Sequence, residues 1–79
     1  MKFPLYTDLS LARDIPEHRL RRGDMVRPVE FHVAPSGEEG YSVEVLGAKG
    51  QTLTVVAVAA TALEELHEGE VLSVRVLAL

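Results

Sequence analysis

The sequence contains neither cysteine nor tryptophan among its 79 residues. A chain without cysteine can form no disulfide framework and no thiolate metal site. A domain of this length buries only about 60–65% of the surface that its unfolded chain exposes, so its core leaves a small margin of stability. We therefore expect tight packing or self-association to compensate, and we favour a homo-oligomer.

Long apolar stretches are also missing. The longest uncharged run covers residues 51–63 and is too short, and too rich in threonine and alanine, to span a bilayer. Residues 1–5 lack the apolar region of an export signal. These absences predict a soluble, cytoplasmic protein with no membrane partner.

Acidic side chains outnumber basic ones, and the formal net charge is −4. The imbalance is uneven, because residues 1–30 carry six basic and five acidic side chains, whereas residues 31–79 carry two basic and seven acidic ones. Non-specific affinity for nucleic acid comes mainly from neutralised phosphates. The overall charge therefore disfavours nucleic acid as a partner.

The sequence does contain a repeated alternation of apolar and polar residues, interrupted by glycine and proline. This period of two is typical of half-buried β-strands, and the interruptions mark turns. With 47% hydrophobic and 25% charged residues, the composition is that of a single globular domain over residues 1–79. We predict an all-β fold, a small barrel of about five strands with one short helical turn near residues 61–67.

The clearest strand follows Gly40, where Tyr41, Val43 and Val45 share one face and are predicted to point into the core. Residues 5–12 are predicted to form a short strand or an extended arm. Residues 71–79 are rich in β-formers, and they either close the barrel or pair with another copy of the chain.

The strand near residues 25–33 is less regular. Its pattern places Val29, Phe31 and Val33 in the core. Pro28 cannot donate to a strand ladder, so this strand is predicted to lie at an edge, to bulge at Arg27 and Pro28, or to be paired on only one side.

Two further segments complete the prediction. Residues 52–58 are almost continuously apolar, which favours burial on both faces or a contact between subunits. Thr61 and Glu64 have the spacing of a capping box, which predicts a short helix that begins there.

The polar loop from Glu17 to Asp24 is the strongest candidate for a binding surface. It combines charged side chains with proline and glycine, and loops on rigid scaffolds often carry function. We expect Tyr6 or Tyr41 to take part in partner binding as well if its side chain reaches the surface. The candidate residues are Glu17, His18, Arg19, Arg21, Arg22, Asp24, Tyr6 and Tyr41.

Enzyme and metal sites have weaker support. His18, His32 and His67 each have a neighbouring glutamate, but adjacent residues of a strand point to opposite faces and do not build a metal site. Asp14, Glu17 and His18 could be read as an acid and base set, yet no pocket-forming layer accompanies them. We predict no catalytic, metal or cofactor site.

Four arginines between residues 19 and 27 are the only basic cluster. Small barrels can bind phosphate through such a loop, but single-strand binders also need aromatic side chains for stacking. The sequence has only two tyrosines and two phenylalanines, and Phe31 and Tyr41 are assigned to the core. Nucleic-acid binding through Arg19, Arg21, Arg22 and Arg27 is therefore the alternative, not the first, hypothesis.

Several segments carry a family resemblance: LYTDL at residues 5–9, DIPEH at 14–18, LRRGD at 20–24, VE at 29–30, GYSVEV at 40–45 and GQT at 50–52. Together they resemble a family of small uncharacterised bacterial proteins, the domain of unknown function numbered forty-nine twenty-six. The resemblance implies an SH3-like barrel in a bacterial protein, and it implies no biochemical role.

We therefore expect a non-enzymatic interaction module or accessory protein that binds a protein partner and associates with itself. The alternative is a nucleic-acid-binding small barrel that uses the arginines of residues 19–27. A second alternative is a subunit or regulator of a bacterial enzyme or of a toxin-like partner.

Overall fold

The computed structural model describes residues 1–66 of the chain. These residues form one sheet of five strands and two single 3-10 turns. The strands are β1 (Leu9–Leu11), β2 (Met25–Val33), β3 (Glu39–Leu46), β4 (Thr52–Ala59) and β5 (Leu63–Glu65), and the turns are Pro16–His18 and Ala60–Ala62. The predicted all-β fold is confirmed. Within residues 1–66 no helix has the length and apolar character needed to cross a membrane.

All strand pairs are antiparallel, and the strand order is β4-β3-β2-β1-β5. The three longest strands follow one another as hairpins, and glycines with positive φ, Gly37 and Gly50, lie in the two connecting turns. Only glycine adopts that backbone conformation without a steric penalty. The strand β1 lies between β2 and β5, so the described sheet has β4 and β5 as its edges.

The core lies on the face of β3 that the alternation predicts. Tyr41, Val43 and Val45 are buried, whereas Ser42 and Glu44 on the other face are partly exposed. The buried cluster consists of Phe3, Leu9, Leu11, Ile15, Leu20, Val26, Tyr41, Val43, Val45, Val58, Ala60, Ala62 and Leu63.

The strand β2 lies between β1 and β3, so the prediction of an edge strand is wrong, and its bulge lies at Val29, directly after the predicted Arg27 and Pro28. The register shift falls between Pro28 and Glu30. The carbonyl of Pro28 accepts a hydrogen bond of 2.7 Å from the backbone N–H of Tyr6. Because the N and O atoms of a strand residue point to the same side, the missing N–H of Pro28 faces away from β3 and interrupts no bond to that strand.

The prediction that Val33 belongs to the core is wrong, since its side chain is 58% exposed. Phe31 does pack against the core. Val33 pairs with Glu39 at the tip of the β2–β3 hairpin, beyond the last core residues, so the alternation continues where there is nothing left to cover it.

The prediction that β4 is buried on both faces is also wrong. The strand is an edge of the described sheet, and Val58 is its only buried residue. Leu53 is 62% and Val55 is 55% exposed. The other interpretation of this apolar run, a contact between subunits, stays a prediction.

The prediction of a capping-box helix at Thr61–Glu64 is wrong in its position. The single helical turn in this region is the 3-10 turn Ala60–Ala62, which has no side-chain cap, and the chain then continues as β5. Leu63 is buried and pairs with Leu11. Burying a leucine is worth about 1.5–3 kcal/mol, which outweighs a cap worth about 1 kcal/mol. The predictions for His67 and for residues 71–79 lie outside the described residues.

Candidate functional site

The outer part of the loop that joins β1 to β2 is fixed at both of its ends by a buried residue. Ile15 and Leu20 are buried, and their backbones form a reciprocal bridge with N···O distances of 2.9 and 3.1 Å. Between them lies the turn Pro16–His18, with the proline in the first turn, where a missing N–H removes no helical bond. The loop leaves this turn through Arg19, which has a left-handed backbone with φ of 58°.

The acidic side chains of the loop point to its own backbone. The carboxylate of Asp14 accepts a hydrogen bond of 2.8 Å from the N–H of Arg22. The carboxylate of Asp24 accepts one of 2.9 Å from the N–H of Arg21. Both carboxylates therefore hold the loop in one conformation instead of pairing with its guanidinium groups.

The basic side chains consequently face solvent. Arg19, Arg21 and Arg22 are exposed, and their guanidinium groups form no salt bridge with any residue from 1 to 66. We call these three side chains the arginine rim. The fourth arginine of the predicted cluster, Arg27, lies in β2 and is bound to Asp8 at 2.9 Å, so it does not belong to the rim.

The other candidate residues of the loop are also at the surface. Glu17 and His18 are exposed on the 3-10 turn, and Asp24 is half-buried where the loop enters β2. The structure thus brings six of the eight predicted residues, all from the loop, into one surface region.

The two tyrosines do not join that region. Tyr6 is 70% exposed, but it lies before β1 and next to Pro28, whereas the loop follows the other end of β1. Tyr41 is fully buried, and its hydroxyl binds the backbone of Phe3. Tyr41 therefore does not meet the condition of reaching the surface, as its place on the apolar face of β3 already indicated.

The histidines are distributed over different elements. His18 is on the loop, whereas His32 is on β2 with its Nε2 atom 2.7 Å from the Ser42 hydroxyl and 3.6 Å from a Glu30 carboxylate oxygen. Residues 1–66 contain no group of three or more histidine, aspartate or glutamate side chains placed to hold a metal ion. The chemistry available to the loop is the binding of anionic groups by guanidinium.

A second exposed surface lies on β4. Val55 and Ala57 share one face of this strand, Leu53 lies at its bulge, and all three are exposed. We call these three residues the apolar edge. The sequence signal was the almost continuously apolar run at residues 52–58, but sequence alone could not show whether the run is covered within one copy.

The loop lies close to the end of β4. An open cavity of about 290 Å³ lies between them, and its lining includes Arg13 and Glu17 from the loop and Ala57 from the apolar edge. A partner that enters this cavity can therefore contact both the loop and Ala57.

Comparison with known proteins gives one match. The family described as a domain of unknown function (DUF4926) matches residues 5–65, which include the loop, the arginine rim and the apolar edge. No curated protein and no solved structure matches the chain. The family resemblance noted in the sequence is confirmed.

Proposed function

We propose that this chain, which belongs to the DUF4926 family, is a non-enzymatic interaction module of the bacterial cytoplasm that binds an acidic protein surface and associates with copies of itself. The observation that supports partner binding is the arginine rim. Its three guanidinium groups have no carboxylate partner among residues 1–66, because Asp14 and Asp24 bind backbone N–H groups.

The loop is suited to recognition because it is ordered before a partner arrives. Each interface side chain that must be immobilised on binding costs about 0.5–1.5 kcal/mol, and a loop with a fixed backbone avoids the further cost of loop ordering. Arginine forms paired, planar hydrogen bonds with carboxylates, so aspartate and glutamate side chains of a protein are suitable ligands.

The magnitude of such contacts sets what the rim can contribute. An exposed ion pair is worth about 0.2–1 kcal/mol, so three of them give at most about 3 kcal/mol. Charges of this kind raise the association rate and the specificity more than the affinity. The partner must therefore add apolar contacts, and the adjacent cavity and apolar edge can supply them.

A charge-matched pair of variants tests the proposal. The chain is used to capture and identify its partner by cross-linking in cells of its native organism, and the affinity of the purified partner is then measured. Arg21→Ala/Arg22→Ala should weaken binding several-fold, up to about thirtyfold for two exposed ion pairs. Lys2→Ala/Lys49→Ala changes the net charge equally and should leave the affinity within about twofold, the usual range for surface changes away from a contact. Equal losses in both variants would reduce the effect to overall charge and overturn the proposed site.

The arginine rim also makes nucleic acid a second candidate. Against it, Tyr6 lies away from the rim, Phe31 and Tyr41 pack in or against the core, and Arg27 is bound to Asp8. The expected result is no binding of single-stranded oligonucleotides in fluorescence anisotropy at low salt. Binding that falls steeply as salt rises would replace the protein partner by a polyanion.

The third candidate, a subunit or regulator of an enzyme or toxin-like protein, is a particular case of the first. An acidic surface on such a protein would satisfy the arginine rim equally well. The identity of the cross-linked partner decides between this role and a purely structural one.

A further inference from the structure

The edge of β4 has few of the features that keep sheet edges from pairing. On one side β4 pairs with β3, and no strand from residues 1–66 pairs with its other side. Its eight residues, Thr52–Ala59, include no charge and no proline. Sheet edges of soluble proteins are normally protected by a lysine, a proline, a bulge or a short length. The strand has one bulge, at Leu53 near its start, and its pairing with β3 is regular from Thr54 to Ala59.

We propose that the β4 strands of two copies of this chain pair antiparallel across a two-fold axis and join the two sheets into one. This inference rests on the self-association in the proposed function and names the surface that performs it. The occupant of the apolar edge is thus a second copy of the chain.

Charge does not oppose a second copy at this strand. Each copy carries a net charge of −4, so most arrangements of two copies bring like charges together. The strand β4 is uncharged, and the nearest carboxylate on its exposed face, that of Glu44, accepts a hydrogen bond of 2.9 Å from the Thr52 hydroxyl. Pairing through β4 therefore brings no like charges directly opposite each other.

The side-chain pattern is compatible with two-fold symmetry. When Val55 lies opposite Val55 of the second copy, Ala57 lies opposite Leu53, the residue at the bulge. Directly opposed residues of antiparallel strands have side chains in contact, and apolar pairs stabilise the sheet. The three exposed apolar residues of each copy then cover those of the other.

The size of this contact predicts a weak dimer. Eight strand residues span about 26 Å, and the edge of a sheet is about 10 Å deep. The contact therefore covers on the order of 600 Å² over both copies, whereas stable complexes bury about 1,200–2,000 Å². We expect monomer and dimer to exchange, with the dimer populated at high micromolar concentration.

Sedimentation equilibrium on the full chain over a wide concentration range tests this inference. Val55→Lys places two like charges opposite each other at the centre of the pair and should weaken the dimer at least tenfold. Val33→Lys is the matched control, because Val33 is 58% exposed against 55% for Val55 and lies two strands away. It should leave the dissociation constant within twofold.

Amide hydrogen exchange of the unmodified chain gives a second readout that does not depend on a variant folding. The outward N–H groups of β4 should exchange at least tenfold more slowly in a concentrated sample than in a dilute one. A dimer that survives Val55→Lys would overturn β4 pairing and leave self-association standing. A chain that stays monomeric would overturn both, and protected β4 amides in that monomer would assign the edge to residues 67–79 of the same chain.

Discussion

At the scale of single residues, the hydroxyl of Tyr41 connects the start of the chain to the core. It lies 2.8 Å from the backbone N of Phe3, from which it accepts a hydrogen bond, and it donates one of 3.0 Å to the Phe3 carbonyl. The Tyr41 ring also contacts two other rings, with centroid distances of 6.1 Å to Phe3 and 5.2 Å to Phe31. One side chain thus fills the core and satisfies two buried backbone groups.

Tyr41→Phe should therefore lower the free energy of unfolding by about 1–3 kcal/mol, since the N–H and carbonyl of Phe3 lose their partner in a buried place. Urea denaturation measures the change. Tyr6→Phe removes the same atom from a side chain that is 70% exposed and should shift stability by less than about 0.5 kcal/mol. Identical midpoints for the two variants would contradict this role of Tyr41.

At the scale of elements, β3 leaves no room for a side chain at Gly40, beside β4. A Cβ atom on this residue would lie 2.9 Å from the backbone carbonyl oxygen of Val58. Backbone cannot move aside as a flexible side chain can. The hairpin therefore needs glycine at this position because of its neighbour and not because of a turn.

Gly40→Ala should destabilise the protein by about 1–3 kcal/mol, the usual effect of inserting a methyl group into a packed contact. Gly47→Ala is the comparison, because the added Cβ would meet the exposed side chain of Gln51, which can rotate away. Thermal melting of both variants should give a clearly larger loss for Gly40→Ala. Equal losses would mean that the backbone contact with Val58 is not the cause.

The loop is the second element whose order has a specific origin. Asp14→Ala removes the acceptor for the N–H of Arg22, and exchange of that amide should accelerate between about twofold and tenfold, as expected for one hydrogen bond worth about 0.5–1.5 kcal/mol. Glu17→Ala, an exposed carboxylate of the same loop, should leave the amide unchanged. If the Arg22 amide exchanges at the same rate in the unmodified chain and in both variants, the Asp14 carboxylate does not hold the loop.

At the scale of the whole molecule, alternation predicted the buried face of β3 but not that of β2, where the bulge leaves Val29 outside the buried cluster and Val26 and Pro28 are buried instead. Tyr41, Val43 and Val45 are buried as predicted because β3 has core on one face along that stretch. The prediction for Val33 was wrong because its strand extends past the core. How far a strand extends past the core depends on the length of the partner strands. The prediction of a helix at the Thr61 capping box was wrong because the residues that follow pair with β1 and therefore adopt a strand conformation.

For the candidate surface too, local sequence predicted some features and distant contacts decided the others. Local composition predicted the loop, since its residues are neighbours in sequence. It could not predict that Asp14 and Asp24 bind backbone while the arginine rim forms no salt bridge within residues 1–66, because both arrangements fit the same run of charges. Nor could it show that β4 is an edge, since strand order arises from contacts between distant segments.

The two edges of the described sheet differ in length and charge, and this difference would limit the number of copies that can assemble. Fibrils form when one edge of a sheet offers a template and the opposite edge accepts it, so that addition never ends. Here the opposite edge, β5, has only three residues in the described structure and includes Glu64 and Glu65. Among the strands of residues 1–66, two copies joined at β4 would leave only these short acidic edges unpaired, so growth through the described strands would stop at two and the protein should resist runaway polymerisation when it is concentrated.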